Sequence, residues 1–343
     1  MNYPPDQPTP ESSDTPEPTP APPIKPSGLF SLEGRPAAGL YVVGWLLGVI
    51  GFGLLVVATM SGSTHAGRIL LIAALATLGI GLAAGAGYQI VARSDRPDAR
   101  FHGASPLLLF GIQIIVSLII GTPLLVIFAG ASPSAVFLVT SISLLAAYLG
   151  VVWLFGVRSG AMTWRDLGLP VEEPASRWLG DIGLGVVTML IVWPLVTILT
   201  AILALSLDST PPDVIPDVGS GLDLLLTAIG AALLVPIGEE LLFRGYSVTA
   251  WLRDLGPRSA LIRSTLFFAF AHVLAVTAPS FEEGARQALL TVVVITPVGL
   301  ALGWLFLRRG LIASIAGHAT FNLIGVILIA LAQSLPQVTP PTG

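Results

Sequence analysis

The 343-residue chain is 54% hydrophobic and only 10% charged, with a mean hydropathy of +0.86, whereas a soluble domain carries roughly 25% charged residues. Sixteen basic against twenty acidic residues give a net charge of −4, which offers no basic surface for nucleic acid. The lack of cysteine excludes disulfides, thiol catalysis, Fe–S clusters and cysteine-based zinc sites.

The first 35 residues stand apart. Ten of the 28 prolines fall in the first 26 positions, among Ser, Thr, Asp and Glu. Such a stretch buries too little apolar area to offset its ordering entropy, which predicts a disordered, Pro-rich cytoplasmic tail over 1–35. A basic start followed directly by an apolar run is missing, so the tail does not read as a signal peptide.

Nine apolar segments follow, at 37–60, 69–92, 106–129, 135–157, 179–205, 222–244, 259–277, 287–307 and 311–333. Each is long enough, or nearly so, to cross about 30 Å as a helix. The expected fold is therefore all-α: a polytopic membrane helix bundle of eight or nine spans, with the sixth and seventh extending beyond their apolar runs. Pro123, Pro194, Pro236 and Pro297 lie inside spans and predict kinks that neighbouring helices accommodate. The chain divides into the tail, N-terminal spans over 36–221, a core over 222–333 and a short C-terminal tail over 334–343.

Basic residues predict the orientation. With the N-terminus in the cytoplasm, the inside segments hold Lys25, Arg35, Arg93, Arg96, Arg100, Arg158, Arg165, Arg177, Arg253, Arg258, Arg308 and Arg309. The outside segments hold only Arg68 and Arg286, a positive-inside pattern. The protein is expected in a membrane, the plasma membrane if the source is bacterial. No internal repeat marks it as a secondary transporter.

Against this background Glu239 and Glu240 are conspicuous, because they follow the apolar run 224–237 directly. A carboxylate at that depth costs about 2.5–3.5 kcal/mol on insertion scales, so it faces a bundle interior or wet cavity and is a functional candidate by default. Glu240 and Arg244 are four apart with the acid first, which predicts an orienting salt bridge on one helix face. Glu239 points about 100° away, with no basic residue at i+3 or i+4, and is left for chemistry as a general base.

Two of the four histidines lie in spans. His272 closes the run Phe267-Phe268-Ala269-Phe270-Ala271, and His318 is followed four residues later by Asn322, so those two share a face. His65 and His102 sit at span edges and read as loop residues. Glu239 with His272 and His318 is a ligand set suited to zinc or another divalent metal, with a position open to water. The same groups serve metal-free water activation equally well, with Glu239 as base assisted by His272, and with His318 and Asn322 donating to the oxyanion. No His-Glu-x-x-His helix, Gly-x-Ser-Gly or pair of intramembrane aspartates is present.

The ordered motifs Glu239-Glu240-x-x-x-Arg244, Phe268-x-x-x-His272 and His318-x-x-x-Asn322 resemble the CPBP family of intramembrane proteases, also called the Abi or CAAX-protease family. It includes the eukaryotic type II CAAX prenyl endopeptidase and bacterial bacteriocin-immunity proteins. The resemblance covers about residues 222–333, and Met162–Pro170 looks like a connector common in bacterial members. It implies a cavity open toward cytoplasm and lipid. It also implies water activation by Glu239 and His272, an oxyanion site at His318 and Asn322, and structural roles for Glu240, Arg244 and Phe268. The implied partners are the lipid bilayer and a membrane-borne protein or peptide substrate, such as a CAAX-like tail. Two rival readings remain: a non-proteolytic scaffold or immunity-type protein of the same fold, and a proton-coupled transporter.

Overall fold

The computed structural model describes residues 32, 34–60, 64–96, 99–169, 174–210, 215, 216, 221–276, 278 and 280–334. The expected tails therefore lie almost wholly outside the described residues. The chain divides into Met1–Arg35 and Pro36–Gly343, and every described helix belongs to the second unit.

Among the described residues there are nine helices and no strand. They are α1 (Ala38–Met60), α2 (His65–Ser94), α3 (Pro106–Ile127), α4 (Pro133–Val157), α5 (Ala175–Leu207), α6 (Gly221–Leu255), α7 (Pro257–His272), α8 (Phe281–Arg309) and α9 (Leu311–Ser334). All except α7 are long and apolar enough to cross a membrane. Their outward faces are apolar, as at Phe52, Val126, Leu179 and Leu205, while Glu240, Arg244 and Ser314 are fully buried. A bundle that shows apolar side chains outward and hides charge is built for a lipid solvent; this is an integral membrane protein.

In lipid there is no hydrophobic drive between helices, so close packing through small residues takes over. In α1 and α2 the glycine seam runs antiparallel: a Cβ on Gly44 would lie 3.1 Å from the Gly85 nitrogen, one on Gly81 2.5 Å from the Gly48 nitrogen, and one on Gly51 2.5 Å from the Leu78 nitrogen. Helices α4 and α6 instead run parallel and in register. Gly230 lies against Phe137 and Ser141, Gly238 against Tyr148, and Tyr246 against Gly156.

The short helix α7 departs from the expected span 259–277. Its 16 residues cover about 24 Å, less than the ~30 Å apolar core. It runs antiparallel to α8, with Leu261 against Gly303 and Thr265 against Gly299. Continuing that register brings His272 opposite Val292, near the middle of α8. The helix thus stops at depth, and a single 3₁₀ turn, Val273–Ala275, follows. Non-helical backbone at that depth is tolerated where protein or a water-lined cavity surrounds it.

The connector read from the sequence ties three elements together, its Pro170 lying outside the described residues. The Thr163 backbone N–H and hydroxyl donate to Asp166 at 2.7 and 2.8 Å. Arg253 pairs with Asp166 at 2.8 Å and donates to the Ala161 carbonyl at 3.0 Å. Thr249 donates to the Asp166 carbonyl, and the Leu311 N–H to that of Gly168. Partial burial pushes the Asp166 carboxyl up, but the Thr163 hydrogen bonds and the Arg253 charge together hold it below its usual value.

Because the native value is the depressed one, that stabilisation is present above the unfolded carboxylate pKa of about 3.9 and is lost as pH falls through the native value. Asp166→Asn should therefore lower the melting temperature in detergent at neutral pH, and its gap from the wild type should close below about pH 4. A second test concerns α5 and α9. A Cβ on Gly185 would clash with the Ala313 carbonyl oxygen and sit 2.8 Å from the Gly317 nitrogen. Gly185→Val should cost about 1–3 kcal/mol by overpacking, read as a lower thermal midpoint.

Candidate active site

Glu239 and Glu240 sit between two π-helical stretches of α6, Gly230–Leu234 and Leu241–Val248. A π turn widens the helix and frees backbone carbonyls, and such turns gather at functional sites. Pro236, lacking an N–H, lies just after the first stretch and agrees with a broken α ladder.

Glu240 is the hub of a buried network. Its Oε1 accepts from the Arg244 guanidinium at 2.7 Å and from His318 Nδ1 at 2.8 Å, and its Oε2 accepts from the Ser314 hydroxyl. Arg244 also reaches the Gly299 carbonyl at 3.4 Å, and its guanidinium carbon lies 4.0 Å from the Phe268 ring centre, within cation–π range. The predicted i,i+4 ion pair is therefore present, fully buried, and joined to α7, α8 and α9.

This network orients His318. A carboxylate accepts only, so Nδ1 carries a proton; in the neutral form of such a ring the other nitrogen, Nε2, is the acceptor. That Nε2 lies 3.8 Å from Glu239 Oε2, too far for a direct hydrogen bond. Glu239 Oε2 is buried and has no hydrogen-bond partner among the described residues, while the Glu239 side chain as a whole keeps 14% of its surface. Such an orphaned carboxylate oxygen is costly unless something else occupies its lone pairs.

His272 is fixed in the same tautomer, its Nδ1 donating to the Phe268 carbonyl at 2.8 Å. The Phe268 ring touches both imidazoles, at centroid distances of 4.4 Å to His272 and 5.7 Å to His318. It thus spaces the two histidines and Arg244 around one aromatic wall. Asn322 shares the His318 face but not its partner: its Nδ2 donates to the Ala231 carbonyl at 2.8 Å, within the first π stretch. One amide proton and the side-chain oxygen remain for other bonds.

A catalytic zinc takes three protein ligands and keeps a fourth position open. Among the described residues no group of three or more His, Cys, Asp or Glu side chains is placed to hold a metal ion. Of the three expected donors, Glu239 and His318 approach to 3.8 Å.

Ser314 was missed by the sequence reading, although Ser314, His318 and Asn322 repeat every four residues and mark one polar stripe on α9. Asp181 is also buried, 1% exposed and 3.6 Å from Arg309. Its neighbours in sequence gave no sign of this. His65 opens α2, and His102 meets the Arg93 carbonyl at 3.0 Å; both are remote in sequence from the network just described.

A polytopic helical bundle with a buried glutamate and histidine cluster defines the class, and one comparison bears on its C-terminal part. Residues 221–324 match the family model described as type II CAAX prenyl endopeptidase Rce1-like, so this part of the chain, α6 through most of α9, is similar to a CAAX-type intramembrane protease family. No curated protein and no solved structure matches the chain.

Removing one partner of a buried ion pair leaves an uncompensated charge and costs about 3–5 kcal/mol. Arg244→Met should lower thermal stability by that order, and Glu240→Gln combined with Arg244→Met should recover part of the loss. Melting curves of the two single variants and the double variant check the coupling.

Proposed function

We propose that this protein is an intramembrane endopeptidase that hydrolyses a peptide bond of a membrane-borne, CAAX-like protein tail, with Glu239 as the base. The observation that carries the reading is the pair of facing acceptors, Glu239 Oε2 and His318 Nε2, 3.8 Å apart. Two acceptors at that spacing suit a group that gives two protons. A water donating one proton to each keeps its lone pairs outward, toward an incoming carbonyl carbon.

Attack on the scissile carbonyl passes one water proton to Glu239 as the new C–O bond forms. Glu239 then hands that proton to the departing nitrogen as the C–N bond breaks, leaving a carboxylic acid and an amine. The second proton stays on the attacking oxygen, hydrogen-bonded to His318 Nε2, while the His318 Nδ1–H keeps donating to Glu240. Glu240 is itself tied to Arg244 and Ser314, so His318 is held in orientation by a rigid partner, an arrangement that costs no reorganisation during reaction. Geometry favours His318 over His272 as the nitrogen beside Glu239. His272, with Nε2 free at the end of α7, and the unused amide proton of Asn322 flank the path of the substrate. The substrate enters from lipid, with the basic connector side in the cytoplasm.

The test compares wild type, Glu239→Gln and His272→Ala on a quenched peptide panel that includes prenylated CAAX tails, with the cut bond located by mass spectrometry. Glu239→Gln should lower kcat/KM by about 10²–10⁴-fold while the melting temperature holds. Cleavage by Glu239→Gln at the wild-type rate would remove the base from Glu239. Full biological effect of that variant in cells would favour the scaffold reading instead.

A further inference from the structure

The groove between α2, α3 and α4 lies outside the segment 221–324 that matches the family model, and the proposed chemistry does not use it. It encloses about 580 Å³, within the range of about 300–1,000 Å³ that holds a small ligand. Helix α3 packs against both α2 and α4 and forms the floor with Ile112 and Ile119. Ala76, Gly79 and Ala83 of α2 line one wall, and Trp153 and Phe155 of α4 line the other. Every lining side chain is apolar. The recess exists because α2 contributes small residues where α3 and α4 contribute large ones. Its rim faces lipid, with Ile80, Ile119, Trp153 and Leu154 about half exposed.

One end of this apolar groove carries a charge. Helix α4 closes in a π stretch, Trp153–Val157, and the Arg158 backbone N–H donates to the Trp153 carbonyl at 2.7 Å, the five-residue bond of a π turn. In an α-helix two residues five apart point about 140° away from each other. The wider winding of the π turn brings them to nearly the same side. The Arg158 guanidinium accordingly lies 5.6 Å from the Trp153 ring centre, a cation–π contact. Stacking uses the face of the guanidinium and leaves the N–H groups at its edge free. Arg158 is exposed, and no hydrogen bond or ion pair takes its guanidinium among the described residues.

Arg158 follows directly on α4, at the end of the bundle where α3 begins. Ile119, at the far end of the groove, is thirteen residues from the start of α3, about 20 Å along the helix. An apolar core about 30 Å thick gives each leaflet half of that, so the groove runs the depth of one leaflet, from a cation to the bilayer middle. From this combination we infer that the groove binds one chain of an anionic phospholipid, whose phosphate is held by Arg158. An unpaired guanidinium at the interface above an apolar recess is the complement of such a lipid in both charge and polarity. The cytoplasmic leaflet is rich in anionic lipid, and that is the side the basic residues predict for Arg158. A zwitterionic lipid brings a second cation to the same place, and a helix 10–12 Å across meets the bulky rim before it reaches the floor.

Trp153 reports on its own groove. Full-length protein is held in detergent micelles that carry phosphatidylglycerol or phosphatidylcholine with the same brominated acyl chains, and tryptophan fluorescence is followed. The Trp153 component is the difference between wild type and Trp153→Phe. Half-quenching should need about fivefold less phosphatidylglycerol than phosphatidylcholine, the preference that one arginine near the membrane surface supports. Arg158→Gln should bring the two lipids to the same midpoint, and Arg158→Lys should keep most of the preference. Ala76→Phe, which fills the groove from an exposed position, should weaken quenching by both lipids. Equal midpoints in the wild type would overturn the inference and leave only solvating lipid in the groove. So would a preference that persists in a folded Arg158→Gln variant. If Arg158→Gln melts early, salt decides the matter in the wild type. A preference lost in 1 M salt, where the Debye length is about 3 Å, supports the inference, and one that survives overturns it. Protection of Trp153 from both lipids, together with a cross-linked dimer, would overturn it in favour of a second copy of the chain.

Discussion

The cluster depends on one fully buried carboxylate. Glu240 gathers Arg244, Ser314 and His318 around its two oxygens and so binds α6 to α9, while Arg244 extends the link to α8 through Gly299 and to α7 through Phe268. Charge buried in lipid is costly, and the cost is offset only when every lone pair and proton finds a partner in good geometry. That demand makes the arrangement unique: a small shift of α9 would strand Ser314 or His318. Rigidity at Glu240 therefore sets the tautomer and direction of His318, and through it what faces Glu239.

Two departures from regular helix work alongside this network. The π stretches of α6 before and after the glutamates turn the acidic pair toward α9, and the first offers the Ala231 carbonyl that Asn322 caps. The short α7 ends at His272, and a single 3₁₀ turn follows it. Both would be faults in an isolated helix. Each persists because neighbouring helices satisfy the backbone groups it frees. Glycines at 230, 238 and 299 let those neighbours come close enough to do so.

Much of the candidate site was legible from spacing. Four-residue intervals joined Glu240 to Arg244 and His318 to Asn322, and three motifs in order led to the family that the match over 221–324 supports. Nine apolar runs gave the helices, with boundaries within a few residues for most. The shortfall of α7 was not visible, because Val-Leu-Ala-Val-Thr after His272 is apolar enough to read as more span. Ser314 was visible only as a serine in a span, a common residue there, and Asp181 as one acid at a helix end.

The sequence by itself determined that the chain lives in lipid, that its spans are helical, and which few polar groups must be buried. Those follow from local quantities: hydropathy, periodicity of 3.6 residues, and the cost of a charge in hydrocarbon. Only the tertiary structure decided that His318 rather than His272 stands beside Glu239, that His318 is held through Nδ1, and that a tyrosine from α4 lies against Gly238. Those facts depend on helix register and close approach, which are set by packing between segments 74 to 90 residues apart in the chain, and no local pattern encodes the meeting of two distant faces.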